Sequence, residues 1–126
     1  MIKISLSSLQ HTWIIDIDGT ILKHNGYKKR GDTLLTGVKD FWQKIPENDI
    51  IILISAREEC YAEETLLFLQ KSGIRYDKAI FGAPKGERIL INDIKPSGLD
   101  TAYALNVRRD KGLDELEITC EQKRSH

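Results

Sequence analysis

Two cysteines, three prolines and one methionine are all that the 126 residues contain of those types, and nineteen basic residues are cancelled by nineteen acidic ones. Cys60 and Cys120 lie far apart, which gives neither a disulfide framework nor metal-ligand spacing. Ordinary thiols in a reducing cytoplasm are the expectation. The zero net charge removes the usual electrostatic argument for a nucleic-acid or anionic-membrane partner. No apolar stretch approaches the roughly 20 residues of a membrane-spanning helix. The opening MIKISLSSLQ lacks a continuous apolar core and a small-residue cleavage site, so it does not read as a signal peptide. There is no internal repeat and no low-complexity linker. The length argues for one domain, expected over 1–118, with a polar tail at 119–126 that should fray.

Apolar residues make up 40% of the chain, enough for a core, and their spacing is informative. Ile2, Ile4 and Leu6 alternate with polar residues, as in an edge strand. Residues 12–17 form a short apolar run ending in Asp16-Ile17-Asp18-Gly19-Thr20, a buried strand running into a turn. Residues 21–33 carry two glycines and an Asn25-Gly26 turn signal, which predicts a small flap hairpin. Leu34 to Ile45 has a helical apolar stripe, with Thr33 as N-cap and Pro46 beyond its end. Ile50 to Ile54 is a continuous apolar run, as expected of a parallel strand covered on both faces. A helix is expected over 58–72, capped by Gly73. A short strand follows at 79–81, a buried strand at Arg88–Ile91, a short helix at 99–105 and the start of a last strand at 105–107. Strands alternating with helices predict a parallel, doubly wound α/β sheet. That fold brings the strand ends at 16–18, 55 and 92–93 to one edge, where open α/β sheets bind ligands.

Two carboxylates as close as Asp16 and Asp18 repel each other and need a cation, a shared proton or strong donors. Magnesium is the simplest answer, because it takes oxygen ligands and bridges carboxylate to phosphate. The bland alternative is a strand end followed by a tight Asp18-Gly19 turn. Ser55, after a strand and before a helix, can hold a phosphate oxygen or simply cap the helix. Arg57 can orient substrate or pair with Glu58 or Glu63.

The DxDGT run after an apolar strand resembles the first motif of the haloacid dehalogenase (HAD) superfamily of phosphohydrolases, and the resemblance extends over about residues 12–107. It implies a Rossmann-like three-layer αβα sandwich with a central parallel sheet. It implies Asp16 as nucleophile and Asp18 as general acid and base, with Thr20 in the same loop. Ile52-Leu53-Ile54-Ser55-Ala56-Arg57 resembles the second motif, whose Ser55 and neighbours hold phosphate. The third motif is a cation that neutralises the nucleophile and the phosphoryl group, and Lys85 matches it better than its competitor Lys95. Asp93, beside Asn92, resembles the fourth-motif acid, so that Asp16, Asp18 and Asp93 would hold Mg2+. The sequence departs from the family's usual acid pair there: the next acid is Asp100, and Asn92 or water would take the missing place.

On this reading Asp16 attacks phosphorus to give an aspartyl-phosphate, Ser55 and Lys85 hold phosphate oxygens, and Asp18 protonates the leaving oxygen and later activates water. A halide needs no proton, so a second acid placed like Asp18 argues for phosphate. About 34 residues separate Thr20 from Ser55, which leaves no room for a cap domain. The flap, with His24, Tyr27, Lys28, Lys29 and Arg30, is then either the specificity element or a solvated tip. The short length and INDIKPSG at 91–98 resemble the small capless phosphatases of bacterial capsule and surface polysaccharide synthesis. That resemblance implies a small sugar, polyol or amino-alcohol phosphate as substrate. The competing functions are a protein or nucleic-acid 3′-phosphatase of the same chemistry, which neutral charge disfavours in its nucleic-acid form, and a non-catalytic receiver-like domain that accepts phosphate as a signal. Self-association is expected, because an open site and the apolar edge residues Ile2, Ile4 and Leu6 would benefit from cover.

Overall fold

In the computed structural model, which describes residues 1–121, two parallel sheets carry the chain. The larger consists of β2 (Thr12–Asp16), β3 (Ile50–Ile54) and β4 (Lys78–Ile80), in the order β2-β3-β4. The smaller pairs β1 (Ile2–Leu6) with β5 (Leu116–Cys120), Ile2 opposite Leu116 and Leu6 opposite Cys120. Parallel neighbours cannot be joined by a tight turn. The crossovers carry α1 (Val38–Lys44) between β2 and β3, and α2 (Ala62–Lys71) between β3 and β4. The chain is therefore α/β with parallel pairing in both sheets, as its alternating pattern predicts.

The register decides which face is buried. Trp13 lies beside Ile51, and Leu53 lies between Ile15 and Ala79. Ile51 and Leu53 are fully buried in one cluster with Val38 and Trp42 of α1, Leu69 of α2, and Ile17, Ile21 and Leu22 of the loop after β2. The opposite row leaves Ile14, Ile50 and Ile80 about half exposed. The expectation that both faces of β3 are covered is therefore corrected: alternate residues are buried. Its sequence is apolar on both sides because β-branched residues suit a pleated strand as well as a core.

Several boundaries move for identifiable reasons. The first helix begins at Val38, not near Leu34. Its N-cap is Gly37 at φ +77°, where an added Cβ would run into Asp114. Leu34 and Leu35 still pack against the core, but from irregular chain, which imitates a helical stripe in sequence. The second helix starts with a 3-10 turn at Glu59–Tyr61 and ends as expected. Gly73 at φ +78° lets Ile74 N–H reach the Leu69 carbonyl at 2.9 Å and its own N–H reach Gln70 at 3.1 Å, the two bonds of a Schellman end.

The flap hairpin is not formed. Residues 21–33 make a closed loop with a 3-10 turn at Gly26–Lys28. Asn25 takes the left-handed conformation expected of a turn residue, at φ 57°. The two arms are tied by a Leu22–Leu34 bridge and by the Lys23 N–H to Thr33, Leu35 N–H to Ile21 and Gly31 N–H to Gly26 carbonyl bonds. The expectation of a fraying tail from 119 is corrected for Thr119 and Cys120, which belong to β5; residues 122–126 lie outside the described residues. The largest correction concerns 83–107, which holds no helix or strand. The run Arg88–Ile91 pairs with neither sheet edge, and Ile89 and Ile91 are 83% and 89% exposed. The last strand is Leu116–Cys120, not one starting near 105.

Candidate functional site

Adjacent parallel strands end together, so the loops that leave β2 and β3 must meet. Asp16 is opposite Ile54. Beyond it the Ile17 N–H still donates to the Ile54 carbonyl at 3.1 Å, while the Ser55 N–H donates to Ile80 at 2.9 Å. The loop after β2 then folds on itself. The Ile17 carbonyl accepts from Ile21 and Leu22, both at 3.0 Å, and Gly19 N–H reaches the Leu22 carbonyl at 2.7 Å. Gly19 sits at φ +81°, a conformation that favours glycine. Ile17, Ile21 and Leu22 are fully buried, which anchors the loop.

The two carboxylates are held differently. Asp16 accepts from the Thr20 hydroxyl at 2.9 Å and from the Arg88 guanidinium at 2.7 Å, with about a third of each ion-pair side chain exposed. Asp18 accepts from the Ser55 hydroxyl at 3.1 Å and from Arg57 Nε at 3.0 and 3.1 Å on its two oxygens. Ser55 Oγ in turn accepts the Arg57 N–H at 2.9 Å. The Ala56 amide between them donates to no protein group among the described residues.

Arg57 is the hub of this arrangement. It is 2% exposed. Beyond Asp18 it makes a two-pronged pair with Asp32 of the loop 21–33, at 3.0 and 2.7 Å, and donates to Thr65 Oγ1 of α2 at 2.8 Å. The Tyr27 ring covers its guanidinium at 4.0 Å and packs edge-on against Tyr61. Burial, the largest single influence, acts to lower its pKa. The hydrogen bonds and charges of Asp32 and Asp18 together outweigh it, and the guanidinium is raised above its ordinary value.

Of the residues predicted from sequence, Asp16, Asp18, Thr20, Ser55, Ala56 and Arg57 come together at the carboxyl ends of β2 and β3. Lys85, Asn92 and Asp93 form no hydrogen bond or ion pair with them. All three are exposed. Asn92 donates instead to Thr101, whose hydroxyl also bonds the Asp93 carbonyl. The cation on Asp16 is Arg88 rather than Lys85 or Lys95. Arg57 pairs with Asp18 and Asp32, not with Glu58 or Glu63, and its side chain is buried. Asp32, Thr65 and Arg88 were missed. Asp32 lacked a motif, Thr65 read as part of a helix stripe, and Arg88 read as the start of a strand. A buried cation needs carboxylate partners, and only the fold shows which acids reach it.

Among the described residues no group of three or more His, Cys, Asp or Glu side chains lies close enough to hold a metal ion. Asp93 forms no such group with Asp16 and Asp18, and Arg88 and Arg57 already pair with these two carboxylates. The donor set as arranged does not complete a magnesium site.

No family model matches the chain. No curated protein matches it. Among solved structures, it is similar to a chain in "Structure of Pnkp1/Rnl/Hen1 complex", at 30% identity, over 65% of this chain and 31% of that one, with a TM-score of 0.46. The chain thus spans about a third of that neighbour's length, and a TM-score this low supports no conclusion about fold or function.

Proposed function

We propose that the chain is a capless HAD-type phosphoric monoester hydrolase with a Rossmann-like core, acting on a small phosphorylated metabolite through an aspartyl-phosphate on Asp16. The observation that carries the reading is the pairing across the two strand ends: Asp16 and Asp18 leave β2, Ser55 and Arg57 leave β3, and Asp18 is bonded to both of the latter. One carboxylate remains partly open while its neighbour is clamped, which suits one group for attack and the other for proton handling.

In the first step an Asp16 oxygen forms a bond to phosphorus and the bond to the leaving oxygen breaks, with Asp18 giving that oxygen its proton. In the second, water attacks the aspartyl-phosphate, Asp18 takes the water's proton, and the bond between Asp16 and phosphorus breaks. Arg88 takes the charge-neutralising role expected of Lys85, since it already reaches Asp16. Thr20 fixes the other Asp16 oxygen. Asp18 must exchange its acceptor bonds for a proton when phosphate arrives. Arg57 stays neutralised meanwhile, because Asp32 holds it two-pronged.

Magnesium belongs to this reading through the sequence resemblance, which gives Asp16, Asp18 and Asp93 as its ligands. The described arrangement does not complete that set, so no step above depends on the ion. The INDIKPSG stretch alone carries the narrower proposal of a sugar, polyol or amino-alcohol phosphate used in surface polysaccharide synthesis. The test is phosphate release from an aryl phosphate, with and without magnesium, by the purified chain. Turnover that Asp16→Asn abolishes supports the enzyme. A stable phosphoryl-protein without turnover supports the receiver-like alternative. The absence of both refutes the assignment.

A further inference from the structure

Arg109 occupies a place that none of the reasoning above uses. Its side chain crosses the aspartate loop at Gly19, between Asp18 and Thr20; a Cβ built on Gly19 would meet Arg109 Cγ at 3.0 Å and Nε at 3.7 Å. The position is fixed from below. Asp110 N–H donates to the Gly19 carbonyl at 2.9 Å, and Asp110 Oδ1 accepts the His24 N–H of the flap loop at 2.7 Å. Asp110 pays for this with a left-handed backbone at φ 61°, uncommon for a residue other than glycine. Three residues on, Leu113 N–H reaches the Thr36 carbonyl at 2.9 Å and Leu113 enters the core.

The guanidinium itself is not used by the protein. Arg57 and Arg88, the other arginines at the site, are committed to Asp18, Asp32 and Asp16. Arg109 is exposed and forms no ion pair or side-chain hydrogen bond among the described residues. An arginine laid along a loop needs no such strained anchor if it is only a solvated surface charge. A forked donor whose stem lies against Gly19 of the aspartate loop, and which no protein group occupies among the described residues, suits a second anion on the same substrate.

We infer that Arg109 is a specificity-determining residue that binds a second anionic group, carboxylate or phosphate, on the phosphorylated substrate. This rests on the phosphate-site reading above and narrows it, since a sugar or polyol phosphate whose only anionic group is the reacting phosphate would leave Arg109 idle. A guanidinium paired with a carboxylate or phosphate is expected to favour such ligands about tenfold or more.

The test uses three non-hydrolysable probes, so that it does not depend on turnover. Methylphosphonate has one anionic group, phosphonoacetate adds a carboxylate, and methylenediphosphonate adds a second phosphonate. Calorimetry on the intact chain should show one or both of the doubly anionic probes binding at least about tenfold tighter than methylphosphonate, and which of them does so identifies the second anion. Arg109→Gln should bring that ratio close to one, and Arg109→Lys should restore part of it, with the melting temperature of each variant measured beside it. A wild-type ratio near one, or a ratio that survives Arg109→Gln, overturns the inference. If the ratio behaves as expected while no phosphate ester is hydrolysed, the site stands as an anion-binding one and the hydrolase reading fails by itself.

Discussion

Replacing Arg57 by methionine keeps most of the side-chain volume but leaves Asp18 and Asp32 facing each other without their cation. Breaking a buried ion pair by removing one partner costs about 3–5 kcal/mol. The two carboxylates are 15% and 9% exposed, so water recovers some of that. The bond to Thr65 and the stacking under Tyr27 are lost as well. A loss of about 3 kcal/mol is the reasoned value. With a urea m-value of about 2 kcal/mol/M for a small domain, the midpoint should fall by about 1.5 M. Asp32→Asn alone should also destabilise, but in the Arg57→Met background it should do so much less or even stabilise, because it then removes an unpaired charge. A midpoint shift below about 0.3 M, or strict additivity of the two substitutions, would refute the description of Arg57 as a buried hub.

The same site fixes the pH dependence. The folded-state pKa of Arg57 lies above the ordinary value of a free guanidinium, because Asp32 and Asp18 bond and neutralise it. A raised pKa means that the native chain binds this proton more tightly. Its contribution is therefore complete at every pH below the ordinary guanidinium value and is lost only as pH rises through the raised, folded-state one. The difference in stability between wild type and Arg57→Met should accordingly be flat between pH 6 and 9, with no slope assignable to the guanidinium.

Four further outcomes are expected. Gly19→Ala forces a side chain into φ +81° and against Arg109, and should cost about 1–3 kcal/mol in a thermal or urea melt. Asp49 is buried and accepts both the Trp13 indole N–H at 3.0 Å and the His11 N–H at 3.1 Å. Asp49→Ala should lower stability by about 2–3 kcal/mol and shift the tryptophan emission. Leu53→Ala, in the middle of the core, should cost about 2–5 kcal/mol by denaturation. Ile91→Ala should cost under about 0.5 kcal/mol, since the side chain is exposed; a loss of about 3 kcal/mol would mean that Arg88–Ile91 is packed as its sequence suggests.

What could be read in the sequence follows the range of the forces involved. Local signals held: the apolar runs at β2 and β3, Gly73 at the end of α2, Asn25 as a left-handed turn residue and Pro46 after α1 are all decided within a few residues. The meeting of Asp16, Asp18, Ser55 and Arg57 was also legible, because parallel neighbours of matched length put their following loops side by side. What failed needed a distant partner. Leu34 and Leu35 could not be told from helix, because burial from irregular chain leaves the same apolar spacing. Nor could Arg57 be given Asp32, because an ion pair has no period and its partner lies 25 positions away. The Arg88–Ile91 run is the sharpest case. Four residues with strand-like composition form no strand unless an edge receives them, and composition says nothing about whether one does. Asp93 depends on that run for its position. The fourth motif of the resemblance is thus the one part of the site whose placement rests on a pairing no residue in the sequence can announce, and Ile91→Ala measures that pairing directly.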